Sequence, residues 1–192
     1  MCRTFIPTWT FRTTWCEVKI LGVDPGLRVT GYGIIAFGPG PGAAGVPELV
    51  EAGVVRTKAD DGIAERLRKI YASLSEVIEE HRPDVLAIEK LYTHVEHPAT
   101  AILMGHARGV VCLLSGTHRV PMASIASTHV KKSITGMGHA GKIQMQRMVQ
   151  HTLGLKSLPE PPDVADALAV AIAYMSTIGT RVGARHAVPV QK

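Results

Sequence analysis

The sequence predicts one α/β domain in which a mixed five-stranded sheet is flanked by helices. Between residues 18 and 57, three apolar segments are joined by short or glycine-rich links, which suit antiparallel neighbouring strands. Further along, helical patterns alternate with two short apolar segments, as in a sheet covered by helices. The chain has 192 residues, 46% of them hydrophobic, which is enough for one sizeable core.

The first three strands are predicted at 18–24, 30–37 and 49–57, where apolar and β-branched residues cluster. The link PGLRV joins the first two. The second link is a Pro/Gly-rich loop at 38–47, which we expect to be flexible and dispensable.

The clearest helix is predicted over 61–81, because its apolar residues share one face and its charged residues the other. Pro83 ends this helix, and a buried strand over 84–88 leads directly into Glu89. The remaining predicted elements are a helix at 99–115, a strand at 120–125, helices at 126–135 and 142–153, and a buried helix at 163–177.

The composition excludes several classes of protein. No apolar run is long enough for a membrane span, and the first 17 residues lack the continuous apolar segment of a signal peptide. Three scattered cysteines without a Cys-x-x-Cys pair predict neither a disulfide framework nor a zinc site. We therefore expect a protein of the reducing cytoplasm.

The positive charge is concentrated in the second half of the chain. The formal net charge is +5, and no acid occurs between Glu96 and Glu160. Such a one-sign block indicates a polyanionic partner, since solvated surfaces normally mix signs. The basic residues of the block are Arg108, Arg119, Lys131, Lys132, Lys142, Arg147 and Lys156.

A few acids stand at the ends of predicted core elements. Asp24 ends the first strand and Glu89 follows the fourth, while Asp163 and Asp166 share one face of a first helical turn. Taken singly, each has an ordinary explanation: a turn at Asp24, a helix start at Glu89, a helix N-cap at Asp163 and dipole compensation at Asp166. Together they would repel, and divalent cations relieve such repulsion. Two ions about 4 Å apart can clamp a phosphodiester during in-line displacement, so the pattern predicts a metal-dependent nuclease.

Four ordered motifs resemble those of the RuvC-type Holliday junction resolvases, the crossover junction endodeoxyribonucleases. The resemblance spans residues 18–177. The motifs are GVDPGLRVTGYGII at 22–35, AIEKLY at 87–92 with GHARGV at 105–110, HVKKSITGMGHAGKIQMQRMV at 129–149, and DVADALAVAIAY at 163–174.

The resemblance implies a ribonuclease-H-like fold, a homodimer and a site with two Mg²⁺ ions, for which Mn²⁺ can substitute. It implies paired symmetric nicks across a four-way DNA junction during recombination and repair, alongside the junction-binding and branch-migration motor proteins of that pathway. By position, the catalytic metal-binding residues are Asp24, Glu89, Asp163 and Asp166.

The resemblance also implies DNA contacts. Lys131 and Lys142 match lysines that contact phosphate or aid the transition state, and we include Lys132 beside them. Tyr92 matches an aromatic position that stacks on an unpaired base. The alternative for Tyr92 is packing against a neighbouring helix.

Some segments depart from the family pattern. Residues 1–17 lie outside it, so we expect either a disordered extension or translation starting near Val18. The loop at 38–47 is longer than expected, and residues 178–192 are predicted to be a basic flexible tail. His94 and His97 have metal-ligand spacing without a third ligand, so a DNA-facing loop or dimer-proximal surface is favoured over a metal site.

Three other functions compete with the junction endonuclease. A junction-binding module without cleavage is disfavoured, because pure binding would not keep acids beside phosphates. A sugar-kinase-like ATPase would use Asp24-Pro25-Gly26 as a phosphate loop, but it needs a second lobe. A related RNA-processing nuclease of the same fold differs only in its substrate.

Overall fold

A computed structural model describes residues 17–38, 46–90, 98–136 and 140–185 of the protein. Five strands form one sheet with the order β3-β2-β1-β4-β5, and they match the five predicted strands to within a few residues. The strands are β1 (Val18–Asp24), β2 (Val29–Phe37), β3 (Glu48–Arg56), β4 (Val85–Glu89) and β5 (Met122–Ile125).

The sheet is mixed, as the sequence predicts. Strand β2 is antiparallel to both β1 and β3, whereas β4 is parallel to β1 and to β5. In the parallel pair of β1 and β4, Val23 lies opposite Ile88. The residues that follow, Asp24 and Glu89, therefore end neighbouring strands at the same edge of the sheet.

Helices cover both faces of the sheet. They are α1 (Ile63–His81), α2 (Pro98–His118), α3 (Ser127–Thr135), α4 (Lys142–Thr152) and α5 (Pro162–Arg185). One buried cluster joins the sheet to α1 and α2, and a second joins its other face to α3, α4 and α5. The result is a three-layer arrangement, and α5 lies in the middle of the helical layer on the second face.

Two helices are longer than the sequence predicts. Helix α2 extends to His118, and α5 begins at Pro162 and continues to Arg185, past the predicted end at Thr177. The sequence predicts a flexible tail from residue 178, but the structure has residues 178–185 in the helix. They contain no proline, which would have ended it.

Glycines in β1 and β2 allow α5 to lie almost directly on the sheet. A Cβ atom at Gly22 would overlap the carbonyl oxygen of Ala167, and one at Gly31 would overlap the carbonyl oxygen of Asp163. Gly31 is the residue paired with Asp24 across β1 and β2. The first turn of α5 is thereby held beside the end of β1.

In the described part of the chain, none of the helices combines the length and apolar character needed to cross a membrane.

Candidate active site

Two of the predicted acids meet at the edge of the sheet where β1 and β4 end. Asp24 and Glu89 each follow the paired residues Val23 and Ile88, so they hold equivalent positions on these parallel strands, and side chains at equivalent positions point to the same face. The buried residues before them anchor both strand ends, since Val23 and Ile88 are fully buried. The sequence expectation that acids terminate two buried strands is confirmed.

Helix α5 brings the other two acids to the same edge. Pro162 is the first residue of the helix, and Asp163 lies within its first turn rather than capping it. Asp166 follows three residues later, so it lies on the same helical face. Both acids lie near the helix N-terminus, where the dipole favours negative charge. The contact between Gly31 and the Asp163 backbone sets how close this turn approaches Asp24.

A cavity of about 180 Å³ collects most of the predicted site residues. Three of the four acids line it, together with Lys131 and Lys142. Asp163 is not in its wall but acts electrostatically on Asp24 and Asp166. Lys132 is exposed and also does not line the cavity. The lining side chains are those of Asp24, Glu89, Ser127, Val130, Lys131, Ala140, Lys142, Met145, Asp166 and Ala169.

Asp24 has the most perturbed acidity in the cavity. Burial is the main cause that raises the pKa of its carboxyl to about 7, from an ordinary value of 3.8. The neighbouring charges of Asp166, Glu89 and Asp163 raise it further, in that order, while Lys142 lowers it. Near neutral pH the negative charge of this carboxylate is therefore unfavourable unless a cation or a proton neutralises it.

Asp166 is affected in the same direction. Burial is again the main cause that raises its pKa, and Asp163 and Glu89 add to the rise, while Lys142 opposes it. Lys142 is the first residue of α4, a position where the helix dipole disfavours a cation. The placement of Lys142 is explained by the acids across the cavity, not by its own helix.

Glu89 is held by two residues that the sequence analysis did not assign to the site. The hydroxyl of Ser127 donates a hydrogen bond to Glu89 Oε1. The guanidinium of Arg108 donates to the Glu89 carbonyl oxygen at 2.5 Å and to Ser124 Oγ at 2.9 Å. Arg108 was counted only as part of the basic block, and a serine at a helix start normally signals a cap.

One other group of possible ligands exists in the described residues. Glu51, Glu80 and His81 are the only described trio with potential ligand atoms all within 4.8 Å of one another. This group lies on the α1 face of the sheet, and Glu51 already accepts a hydrogen bond from Tyr32 at 2.7 Å and pairs with His81 at 2.5 Å. Among the described residues, no three of the predicted acids bring ligand atoms within that distance of one another.

The donor set of the cavity fits divalent cations that prefer oxygen ligands. Carboxylates on two strand ends and one helix converge, and their repulsion is only partly offset by Lys142. Mg²⁺ and Mn²⁺ accept such ligands together with water and phosphate oxygens. The site can therefore hold cations beside a lysine-lined wall.

Several predicted features lie outside the described residues. They are Tyr92, His94, His97, residues 39–45 of the Pro/Gly-rich loop, residues 1–16 and residues 186–192.

Three features together define a ribonuclease-H-like nuclease. They are the order of the strands in the sheet, the acids at the ends of adjoining strands, and the acids at the start of the helix that packs on those strands. More particularly, the chain belongs to the RuvC family. The family model described as crossover junction endodeoxyribonuclease RuvC matches residues 20–174.

Relatives and solved structures agree with this assignment. A crossover junction endodeoxyribonuclease RuvC of Rhodopirellula baltica is 48% identical over 153 residues, covering 80% of this chain and 83% of the relative. The corresponding protein of Pelotomaculum thermopropionicum is 42% identical, covering 81% and 91%. A structure of T. thermophilus RuvC in complex with a Holliday junction substrate has a TM-score of 0.77 and 31% identity, covering 86% of this chain and 96% of that one.

Proposed function

We propose that the protein is a metal-dependent endonuclease that resolves four-way DNA junctions by paired symmetric nicks during recombination and repair. The observation that carries this proposal is the cavity where strand-end acids and two lysines meet. Family membership supplies the reaction class, and the block without acids between Glu96 and Glu160 supplies the charge that a polyanion requires.

In this proposal Asp24, Glu89, Asp163 and Asp166 hold two Mg²⁺ ions, for which Mn²⁺ can substitute. When bound, such ions assist water attack and stabilise the leaving 3′ oxygen of a phosphodiester. The carboxylates contribute the charge and orientation that hold the ions. The raised pKa of Asp24 supports this role, because its negative charge is costly until a cation arrives.

The lysines of the cavity are proposed to contact the scissile region of the DNA. Lys131 on α3 and Lys142 on α4 stand across from the acids, so a phosphate between them meets positive charge. Lys132 is proposed to contact the backbone farther from the chemistry, because its side chain is exposed outside the cavity. Tyr92 keeps its predicted role of stacking on an unpaired base.

Helix α2 is the proposed dimer contact. Its exposed apolar side chains include Ile102 and Leu113, which are 61% and 59% exposed. Space is open where side chains would stand on Gly105, Gly109 and Gly116, so a second helix can approach closely. Two copies related by a two-fold axis would present two sites to a two-fold symmetric junction.

The wider assignment follows from the same proposal. The nuclease domain comprises residues 18–177, and the protein acts in the cytoplasm with the junction-binding and branch-migration motor proteins of its pathway. Residues 178–192 are proposed to be a basic tail whose first part continues α5.

The function is tested by nicking of a synthetic four-way junction, with a linear duplex of the same sequence as control. We expect Mg²⁺-dependent symmetric nicks in the junction alone. Asp24→Asn, Glu89→Gln and Asp166→Asn should abolish nicking but preserve junction binding, whereas the exposed Asp60→Asn should cut normally. Equal cutting of both substrates, or full activity of the carboxylate variants, would contradict the proposal.

The dimer is tested by light scattering after size-exclusion chromatography. Leu113→Asp should shift the protein to monomers, because it places charge in an apolar contact. Ile63→Asp is the matched control, since Ile63 is an exposed apolar residue at the start of α1. A monomeric wild-type protein at micromolar concentration would refute the α2 contact.

A further inference from the structure

Ser127 stands at the start of a helix but does not cap it. A serine near a helix N-terminus usually accepts hydrogen bonds from the free backbone N–H groups. Here Ala126 is the N-cap of α3, and no side chain caps the helix. The Ser127 hydroxyl instead donates to Glu89 Oε1, 38 residues earlier in the chain. The hydroxyl is thus committed to a residue of the carboxylate site.

Glu89 is restrained at its backbone as well as at its side chain. Arg108 binds the Glu89 carbonyl oxygen and Ser124 Oγ, which ties the end of β4 to β5. With the backbone fixed by Arg108 and Oε1 held by Ser127, the orientation of the carboxylate is set. None of the hydrogen bonds found among the described residues involves Oε2 of Glu89, which leaves that oxygen for an ion.

The same serine lies one helical turn from a lysine of the site. Ser127 and Lys131 are four residues apart on α3, and both line the cavity. A hydrogen bond from Ser127 to β4 therefore holds the start of α3 against the carboxylates. Any shift of α3 that breaks this bond would also move Lys131 relative to the acids.

We infer that Ser127 is a positioning residue that orients Glu89 for metal binding and sets the position of α3, with Lys131, against the carboxylates. This inference deepens the proposed function and rests on it. Residues that hydrogen-bond to metal ligands commonly change metal affinity by about 10-fold to 100-fold when they are removed. Ser127 is half-buried, contacts Glu89 and lines the cavity, as that role requires.

The test measures Mn²⁺ binding to the full-length protein without DNA, by electron paramagnetic resonance of the free ion. Ser127→Ala should weaken Mn²⁺ binding by about 10-fold, because Glu89 loses its orientation. Ser127→Thr keeps the hydroxyl and should bind Mn²⁺ nearly as well as wild type. Ser133→Ala is the matched control, because Ser133 lies on the same helix outside the cavity wall.

Thermal unfolding in EDTA shows that each variant is folded before the metal titration. The inference would be overturned if Ser127→Ala bound Mn²⁺ as tightly as the wild type, or if Ser127→Ala and Ser127→Thr lost the same affinity. Either result would leave the proposed function standing. Absence of Mn²⁺ binding by the wild type would instead overturn the proposed function. The expected pattern is a loss in the alanine variant that threonine restores.

Discussion

Replacing Asp24 by asparagine should stabilise the metal-free protein. The pKa of this carboxyl is raised to about 7 from 3.8, mainly by burial and then by the neighbouring acids. Between these pH values the folded protein keeps a proton that the unfolded chain releases, so its stability falls as pH rises through this window. Asparagine removes the negative charge and with it this loss of stability.

The size of the effect follows from the pKa. Asp24 titrates about three pKa units above its ordinary value, and one unit corresponds to about 1.4 kcal/mol, which sets an upper limit of about 4 kcal/mol. The buried amide of asparagine has its own desolvation cost, so we expect a net gain of about 2 kcal/mol. In a chain of this length that gain raises Tm by about 4 to 8 °C.

The assay compares thermal unfolding of wild type and Asp24→Asn in EDTA at several pH values. The advantage of the variant should be small near pH 4, grow through neutrality and level off above about pH 7. Added Mg²⁺ should stabilise the wild type and not the variant. If the variant is less stable than the wild type at pH 8 in EDTA, the claim that the negative charge of the metal-free site destabilises the protein is wrong.

Three further predictions concern the helices and the sheet. Gly31→Ala should displace α5, lowering stability by about 1 to 3 kcal/mol and weakening Mg²⁺ binding, measured by unfolding and calorimetry. Lys142→Met should raise the pKa of the buried acids and move Mg²⁺ binding to higher pH, whereas Lys132→Met should not; equal pH profiles would contradict this. Tyr32→Phe should cost about 1 kcal/mol in urea unfolding near neutral pH. That loss should shrink in acid, because Tyr32 lowers the pKa of Glu51 and the hydrogen bond favours the ionised carboxylate; an unchanged loss would argue against it.

The sequence was sufficient for the sheet and for most of the cavity. Buried strands are short apolar runs, so an acid that ends one, such as Asp24, is visible without coordinates. The lengths of α2 and α5 were missed because the ends of a helix are marked less clearly in a sequence than its centre. Ser127 and Arg108 were missed because their partner Glu89 is distant in sequence, and a serine at a helix start looks like a cap.

The glycines beneath α5 divide the site into a stiff half and an adjustable half. Asp163 and Asp166 belong to α5, whose backbone contacts the backbone of the sheet directly. No side chain lies between the two backbones there that could repack. Lys131 and Lys142 stand on α3 and α4, whose positions depend on side-chain contacts. Selection or engineering for a different metal or cutting preference should therefore accumulate changes in α3 and α4, while the acid-bearing turn of α5 stays almost invariant in position.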